Sequence, residues 1–78
     1  MSKVIPLTCL KPGEKAVVKE LMTRGNMRRR LLDIGLIENT PVECLGHSPG
    51  GDPSAYLIRG AVIAIRSEDC ADIFLETR

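Results

Sequence analysis

Apolar residues recur at helical spacing in one segment near the middle of the chain. Between Met27 and Leu36 they fall at positions 27, 31 and 34, and these intervals of four and three mark one stripe of a helix. Asn26 precedes the stripe and is predicted to be its N-cap, because an asparagine side chain accepts from the free amides of a first turn. Gly35 is predicted to end the helix in the left-handed conformation, with Leu36 folding back onto Leu31. The segment therefore predicts one short amphipathic helix.

Much of the remaining chain shows the alternation or the short apolar runs that are typical of strands. Strands are predicted at 16–21, 41–47, 55–59 and 61–66, after a short apolar entry at 7–10. Arg59-Gly60 has the length of a two-residue hairpin turn. Residues 62–65 are apolar on both faces, which predicts that their strand is the central and most buried one.

A second, shorter helix is predicted near the C-terminus. Ser67 would cap it, and Glu68 and Asp69 place negative charge in its first turn. Phe74 is expected to face the core, while residues 73–76 either extend this helix or form a closing strand. Short strands joined by tight turns in a chain of 78 residues favour a mainly β fold, a small barrel of about five strands.

Length and composition exclude several classes of protein. The 78 residues are expected to form a single domain, 1–78, and 44% hydrophobic residues with a net charge of +1 exclude a disordered chain. The longest unbroken apolar run, Ala61 to Ile65, is far shorter than the roughly 20 residues of a membrane span, so membrane insertion is not expected. Three widely spaced cysteines and no export signal predict a cytoplasmic protein with free thiols.

Few residues could carry catalysis or hold a metal. Cys44 and His47 are the closest pair of potential ligands, yet residues three apart in a strand point to opposite faces. A single histidine and no Cys-x-x-Cys pair argue against a four-ligand site, so no tightly bound cofactor is expected. A weak site for Fe²⁺ or another divalent transition metal through Cys44, His47 and the loop residue Asp52 stays open. No catalytic residue and no small-molecule substrate are predicted, because His47 lacks a clear orienting carboxylate.

Arginines are concentrated on the predicted helix. Arg24, Arg28, Arg29 and Arg30 lie within seven residues with no acid between them. A solvated helix face would explain them, but arginine is also suited to recognising carboxylate or phosphate and is enriched at interfaces. These four are the candidate partner-binding residues, for an acidic protein surface or for the backbone of a nucleic acid. The near-neutral net charge and an aromatic content of 3% argue against nucleic acid.

A set of short motifs spans most of the chain, from about Leu7 to Glu76. They are Pro12-Gly13, Arg29 to Leu36, Gly51-Asp52-Pro53, Arg59-Gly60 and Ala64-Ile65-Arg66, followed by Ala71. In order and spacing this set resembles the FeoA family. One departure is Glu38-Asn39, where the family usually has Pro-Gly. Asparagine tolerates left-handed geometry, so the turn is expected to survive.

The resemblance implies both a fold and a function. FeoA proteins are small cytoplasmic proteins of bacterial ferrous iron uptake, with an SH3-like β-barrel, inserted helices and kinship to the C-terminal domain of diphtheria-toxin-repressor-type iron regulators. They act with the membrane GTPase and permease FeoB. In the family the arginine helix and the nearby strand surface are candidates for that contact, which implies Arg29 and Arg30 here. The expected function is a non-enzymatic accessory protein that docks on the cytosolic part of a FeoB-type transporter and modulates it. The alternative is a metal-responsive regulatory module that binds a divalent transition metal weakly.

Overall fold

Six antiparallel strands and two short α-helices make up the computed structural model, which describes residues 3–77. The short apolar entry at 7–10 contains a 3₁₀ turn, Leu7–Cys9. The elements in chain order are β1 (Lys3–Pro6), β2 (Lys15–Leu21), α1 (Gly25–Asp33), β3 (Pro41–His47), β4 (Ser54–Ile58), β5 (Ala61–Ile65), α2 (Ser67–Cys70) and β6 (Ile73–Thr77).

The strands form one sheet in the order β1-β6-β2-β3-β4-β5. The closing strand at the C-terminus, which periodicity left undecided, is therefore present as β6 and lies between β1 and β2. The prediction that residues 62–65 form the central strand is wrong, because β5 is the last strand of the sheet and Val62 is 65% exposed. An apolar run on both faces has the same signature in a buried strand as in an edge strand whose outer face is apolar.

One face of the sheet closes around a single apolar core. Every strand from β2 to β6 contributes to it, and the largest fully buried side chain is Tyr56. Val42 and Cys44 share the inner face of β3, as the alternation predicts. Phe74 is half-buried rather than fully in the core, so Tyr56 takes the central aromatic position instead. A mainly β sheet that wraps one core in this way agrees with the predicted small barrel.

Helix α1 confirms its predicted C-terminus but not its predicted N-cap. Gly35 has φ +90°, its amide donates to Leu32, and the Leu36 amide donates to Leu31 over 2.9 Å. Those two bonds define a Schellman motif. The helix begins at Gly25, with Arg24 in the N-cap position and no side-chain cap, so Asn26 lies inside the first turn.

The turns at Asn39 and at Arg59-Gly60 depend on unusual backbone geometry and form as expected, the second with φ +49° and +80°. Asn39 adopts φ +71°, which supports the prediction that asparagine can replace glycine there.

Helix α2 begins at Ser67, whose own amide is capped by Asp52: the carboxylate accepts from the Ser67 amide at 2.9 Å and from its hydroxyl at 3.2 Å. Ser67 is therefore the capped residue rather than the cap. Among residues 3–77, neither helix is long and apolar enough to cross a bilayer.

Candidate partner-docking surface

Helix α1 and its N-cap residue present four arginines to solvent. Its apolar stripe turns inward, where Leu31 is buried and Met27 and Ile34 pack against the core. The opposite side of a helix with 3.6 residues per turn then faces outward. Arg29 lies on that side, and Arg24, Arg28 and Arg30 lie on the flanks between it and the buried stripe. We call these four exposed residues the arginine face.

Arg28 differs from its neighbours because it also holds the helix in place. Its Nη1 donates to the carbonyl oxygen of Leu21 over 2.8 Å, which ties the middle of α1 to the end of β2. Arg29 is exposed, and Arg30, which is also exposed, borders a crevice with Ile63 and Ala64 of β5. Of the four predicted contacts, Arg28 is therefore partly committed to the fold, and the others point into solvent.

The arginine face lacks internal charge partners. Within the part of the chain that the structure describes, no carboxylate oxygen lies within 4 Å of a guanidinium nitrogen of these four residues. The ion pair seen in that part of the chain lies elsewhere, between Lys15 and Glu43 at 3.9 Å. Positive charge without intramolecular neutralisation attracts an acidic surface and speeds its association.

A groove lined by both aliphatic and charged side chains adjoins the arginine face. Leu32 is 42% exposed and Ile37 is 53% exposed, and together with Arg28 they border a groove of about 320 Å³ between α1 and β2. An arginine rim next to exposed aliphatic side chains is the composition that protein interfaces favour. The sequence predicted the arginines but not the groove, because a leucine in a helical segment gives no sign of whether it is exposed in the folded chain.

The three candidate metal ligands do not converge. Cys44 points into the core, where burial raises the pKa of its thiol and so disfavours the thiolate that a metal needs. His47 is exposed and its Nδ1 lies 2.5 Å from the Ser54 hydroxyl oxygen. Both carboxylate oxygens of Asp52 accept hydrogen bonds from Ser67, one from its amide and one from its hydroxyl. Among residues 3–77 no group of three or more His, Cys, Asp or Glu side chains that could hold a metal is found.

A small polar cluster lies beneath His47, and sequence reasoning missed it. The Tyr56 hydroxyl is 3.5 Å from the Cys70 sulfur, and both residues border a cavity of about 90 Å³ together with His47 and Ser54. Burial is the main cause that raises the pKa of both Tyr56 and Cys70. Both groups are therefore neutral near pH 7, which is typical of structural core residues and not of an activated nucleophile.

Comparison with known proteins agrees with the resemblance seen in the sequence. The FeoA domain family matches residues 5–77. A fusion of Fe(2+) transport protein A with the Fe(2+) transporter FeoB, from Porphyromonas gingivalis, is 31% identical over 70 residues, which is 90% of this chain and 8% of that protein. The chain thus spans less than a tenth of that relative.

Solved structures share the fold closely. The FeoA protein from Chlorobium tepidum superimposes with a TM-score of 0.88 at 29% identity, over 94% of this chain and 70% of that one. FeoA from Stenotrophomonas maltophilia, a prokaryotic SH3 domain protein solved with zinc, gives a TM-score of 0.81 at 21% identity, over 95% of this chain and 96% of that one. The IdeR protein of T. acidophilum has the same fold at 18% identity and a TM-score of 0.79, covering 96% of this chain and 34% of its own. The expected SH3-like fold is confirmed, and IdeR shares it.

Proposed function

This chain belongs to the FeoA domain family, and from that membership we propose that it is a non-enzymatic, cytoplasmic accessory protein of ferrous iron transport. It docks on the cytosolic part of a FeoB-type membrane GTPase and permease and modulates that transporter. Fusion of an FeoA domain to FeoB in the Porphyromonas gingivalis relative supports this partner, since a covalent link holds the two at high local concentration. The Stenotrophomonas maltophilia protein is described as a candidate ferrous iron transport activating factor, which supports the same role.

One observation carries the docking proposal: the arginine face projects from a helix, without internal carboxylate partners, beside the exposed side chains of Leu32 and Ile37. Arg24, Arg29 and Arg30 attract an acidic surface of the partner, and the two aliphatic side chains give the complex apolar contact area. Arg28 sits on the rim of the groove and holds α1 in the orientation that presents both features.

A titration tests the proposal. The protein is titrated against the isolated G domain of a FeoB-type transporter and against the intact transporter in detergent, with binding followed by biolayer interferometry. The double variant Arg29→Glu/Arg30→Glu is expected to weaken binding by roughly tenfold or more, mainly through a slower association rate. Lys3→Glu/Lys11→Glu makes the same change in net charge on exposed residues that do not border the groove, and it should bind nearly normally. If neither partner binds, or if both double variants behave alike, this proposal is wrong.

A second candidate function is a regulatory module that binds a divalent transition metal weakly. The zinc found with the Stenotrophomonas maltophilia protein and the exposed ring of His47 favour it. Addition of Zn²⁺, or of Fe²⁺ under anaerobic conditions, should then shift the NMR signals of His47 and Asp52, and His47→Gln should abolish the shifts. Unchanged spectra at millimolar metal would exclude this function.

A further inference from the structure

Strand β5 forms an open edge of the sheet. Among residues 3–77 it pairs with β4 on one side and with no strand on the other. The Arg59-Gly60 turn has positive φ at both residues, +49° and +80°, as a two-residue type I′ hairpin requires. In such a hairpin the two flanking residues exchange both backbone hydrogen bonds, and the pattern alternates from there. The N–H and C=O groups of Val62 and Ala64 therefore point away from β4 towards the open side.

None of the usual features that protect an edge strand occurs within β5. Its sequence, Ala61 to Ile65, contains no charged residue and no proline, and its register with β4 runs without a bulge. Val62 is 65% exposed on this strand. At the opposite edge, β1 has Lys3 and Pro6 at its two ends. Lysine and proline are residues that natural sheets use to prevent edge pairing, so β5 is the edge that is open to another strand.

Positive charge surrounds the β5 edge. Arg59 and Arg66 stand at its two ends, and Arg30 of helix α1 borders a crevice with Ile63 and Ala64. The sequence has no acid from residue 53 to residue 67. Within the described part of the chain, no carboxylate oxygen approaches these guanidinium groups to within 4 Å.

These charges decide what can cover the edge. Two copies of this chain paired through β5 would bring six guanidinium groups together, and like charges across paired strands are destabilising. An extended segment with carboxylates would instead meet Arg30, Arg59 and Arg66 with opposite charge. Alternation along a strand would place its other side chains towards Ile63, where the crevice beside α1 is apolar.

We propose that the β5 edge binds an extended acidic segment of a partner protein as a seventh strand of the sheet. The main chain of that segment bonds to Val62 and Ala64, its carboxylates face the three arginines, and its apolar side chains cover Ile63. The inference deepens the proposed docking function and rests on it for the identity of the protein that supplies the segment. The binding chemistry itself needs only the edge and its charges.

A synthetic peptide is the probe. A capped seven-residue peptide in which valine and glutamate alternate is titrated into ¹⁵N-labelled protein, beside a peptide in which lysine replaces glutamate. The acidic peptide should shift the amide signals of Val62 and Ala64 and slow their hydrogen exchange, while the lysine peptide should do neither. Equal binding of both peptides, or shifts confined to the groove at Leu32 and Ile37, would overturn the proposal. A β5-paired dimer that forms without peptide, seen in analytical ultracentrifugation, would overturn it as well.

Val62→Pro tests the open edge of β5 without changing the pairing of β5 with β4. Proline removes the outward N–H of Val62 and leaves the bonds between β4 and β5 untouched, which edge strands tolerate. It should weaken peptide binding by roughly tenfold or more, whereas Val62→Thr, which keeps the N–H, should bind normally. If Val62→Pro disturbs the fold in its NMR spectrum, Arg66→Glu gives a second test through the charge of an exposed residue, and it should also weaken binding of the acidic peptide.

The same variants distinguish the two proposals. Unchanged binding of Val62→Pro to the transporter, together with loss of binding in Arg29→Glu/Arg30→Glu, would keep the docking function and reject the β5 edge as its contact. If Val62→Pro loses peptide binding and the wild-type protein binds no FeoB-type transporter, the β5 edge stands as a peptide-binding site and the docking function is rejected.

Discussion

The side chain of Arg59 lies across the backbone of Gly35. Its Nε donates to the Gly35 carbonyl oxygen over 2.8 Å, and the Thr40 hydroxyl donates to the same oxygen over 3.0 Å. A Cβ added at position 35 would stand 2.6 Å from that Nε. The contact joins the end of helix α1 to the β4–β5 hairpin, 24 residues later in the sequence, and so it sets where the arginine face stands relative to the sheet.

Gly35→Ala is expected to destabilise the protein by about 2 kcal/mol. Part of the loss comes from the left-handed backbone, at φ +90°, which costs a residue with a Cβ roughly 1–2 kcal/mol, and the rest from displacing Arg59. Gly25→Ala is the matched control, because Gly25 has φ +64° and nothing within 4 Å of its added Cβ. Urea unfolding followed by circular dichroism measures both.

An Arg59→Ala background isolates the contact. In that background Gly35→Ala and Gly25→Ala should lower the free energy of unfolding by similar amounts, because the clash between the Cβ added at position 35 and the Arg59 side chain has been removed. If Gly35→Ala and Gly25→Ala already cost the same in the wild-type background, the contact with Arg59 contributes nothing measurable.

Arg28→Ala is expected to lower the free energy of unfolding by about 1 kcal/mol, since its hydrogen bond to the Leu21 carbonyl is lost. Arg29→Ala removes a similar exposed side chain without such a bond, and its change should stay within about 0.5 kcal/mol. Chemical unfolding of both variants checks the difference. Equal stabilities would mean that the bond between α1 and β2 does not hold the helix.

Local patterns in the sequence were sufficient for helix α1 and for the left-handed positions. The stripe at Met27, Leu31 and Ile34, and Gly35 after it, depend on neighbours within one or two turns, so the sequence alone determines them. The first-turn residues were harder to place, because Arg24, a residue without capping chemistry, occupies the N-cap where Asn26 was expected.

Order within the sheet could not be read in the same way. Whether the apolar strand at Ala61 to Ile65 is central or at the edge depends on which strands close around it, and that is a property of long-range pairing. The candidate site also combines features that local sequence shows with features that only long-range pairing creates. The arginines were visible as a cluster in the sequence, while the groove beside Leu32 and the contact of Arg59 with Gly35 require the folded chain.

Asp52→Ala is expected to destabilise the protein by about 1 kcal/mol, in the range of losing a helix cap. The reason is that its carboxylate accepts from both the amide and the hydroxyl of Ser67 at the start of α2. Glu68→Ala is the control, because that side chain is exposed and supplies first-turn charge alone, worth a few tenths of a kcal/mol. Thermal unfolding should separate the two variants, and equal midpoints would show that the bonds to Ser67 do not stabilise α2.

Stability should fall at alkaline pH because of the buried thiol of Cys70. Burial raises its pKa in the folded protein above the ordinary value of 9.0, so the unfolded chain loses this proton first. Above about pH 9 the unfolded state binds fewer protons than the folded state, and the free energy of unfolding then decreases as pH rises. The contribution of Cys70 is complete below pH 9 and is lost as the pH rises towards the raised value.

Urea unfolding between pH 7 and pH 10.5, under a reducing agent, measures this loss. Cys70→Ala is expected to be less stable at pH 7, since it leaves a small cavity beside Tyr56, but its stability should decrease less steeply above pH 9 than that of the wild type. Cys9→Ala, which removes an exposed thiol, should follow the wild-type curve. A steep wild-type decrease that Cys70→Ala retains in full would assign the alkaline loss to the other buried acids, Cys44 and Tyr56, whose pKa values burial also raises.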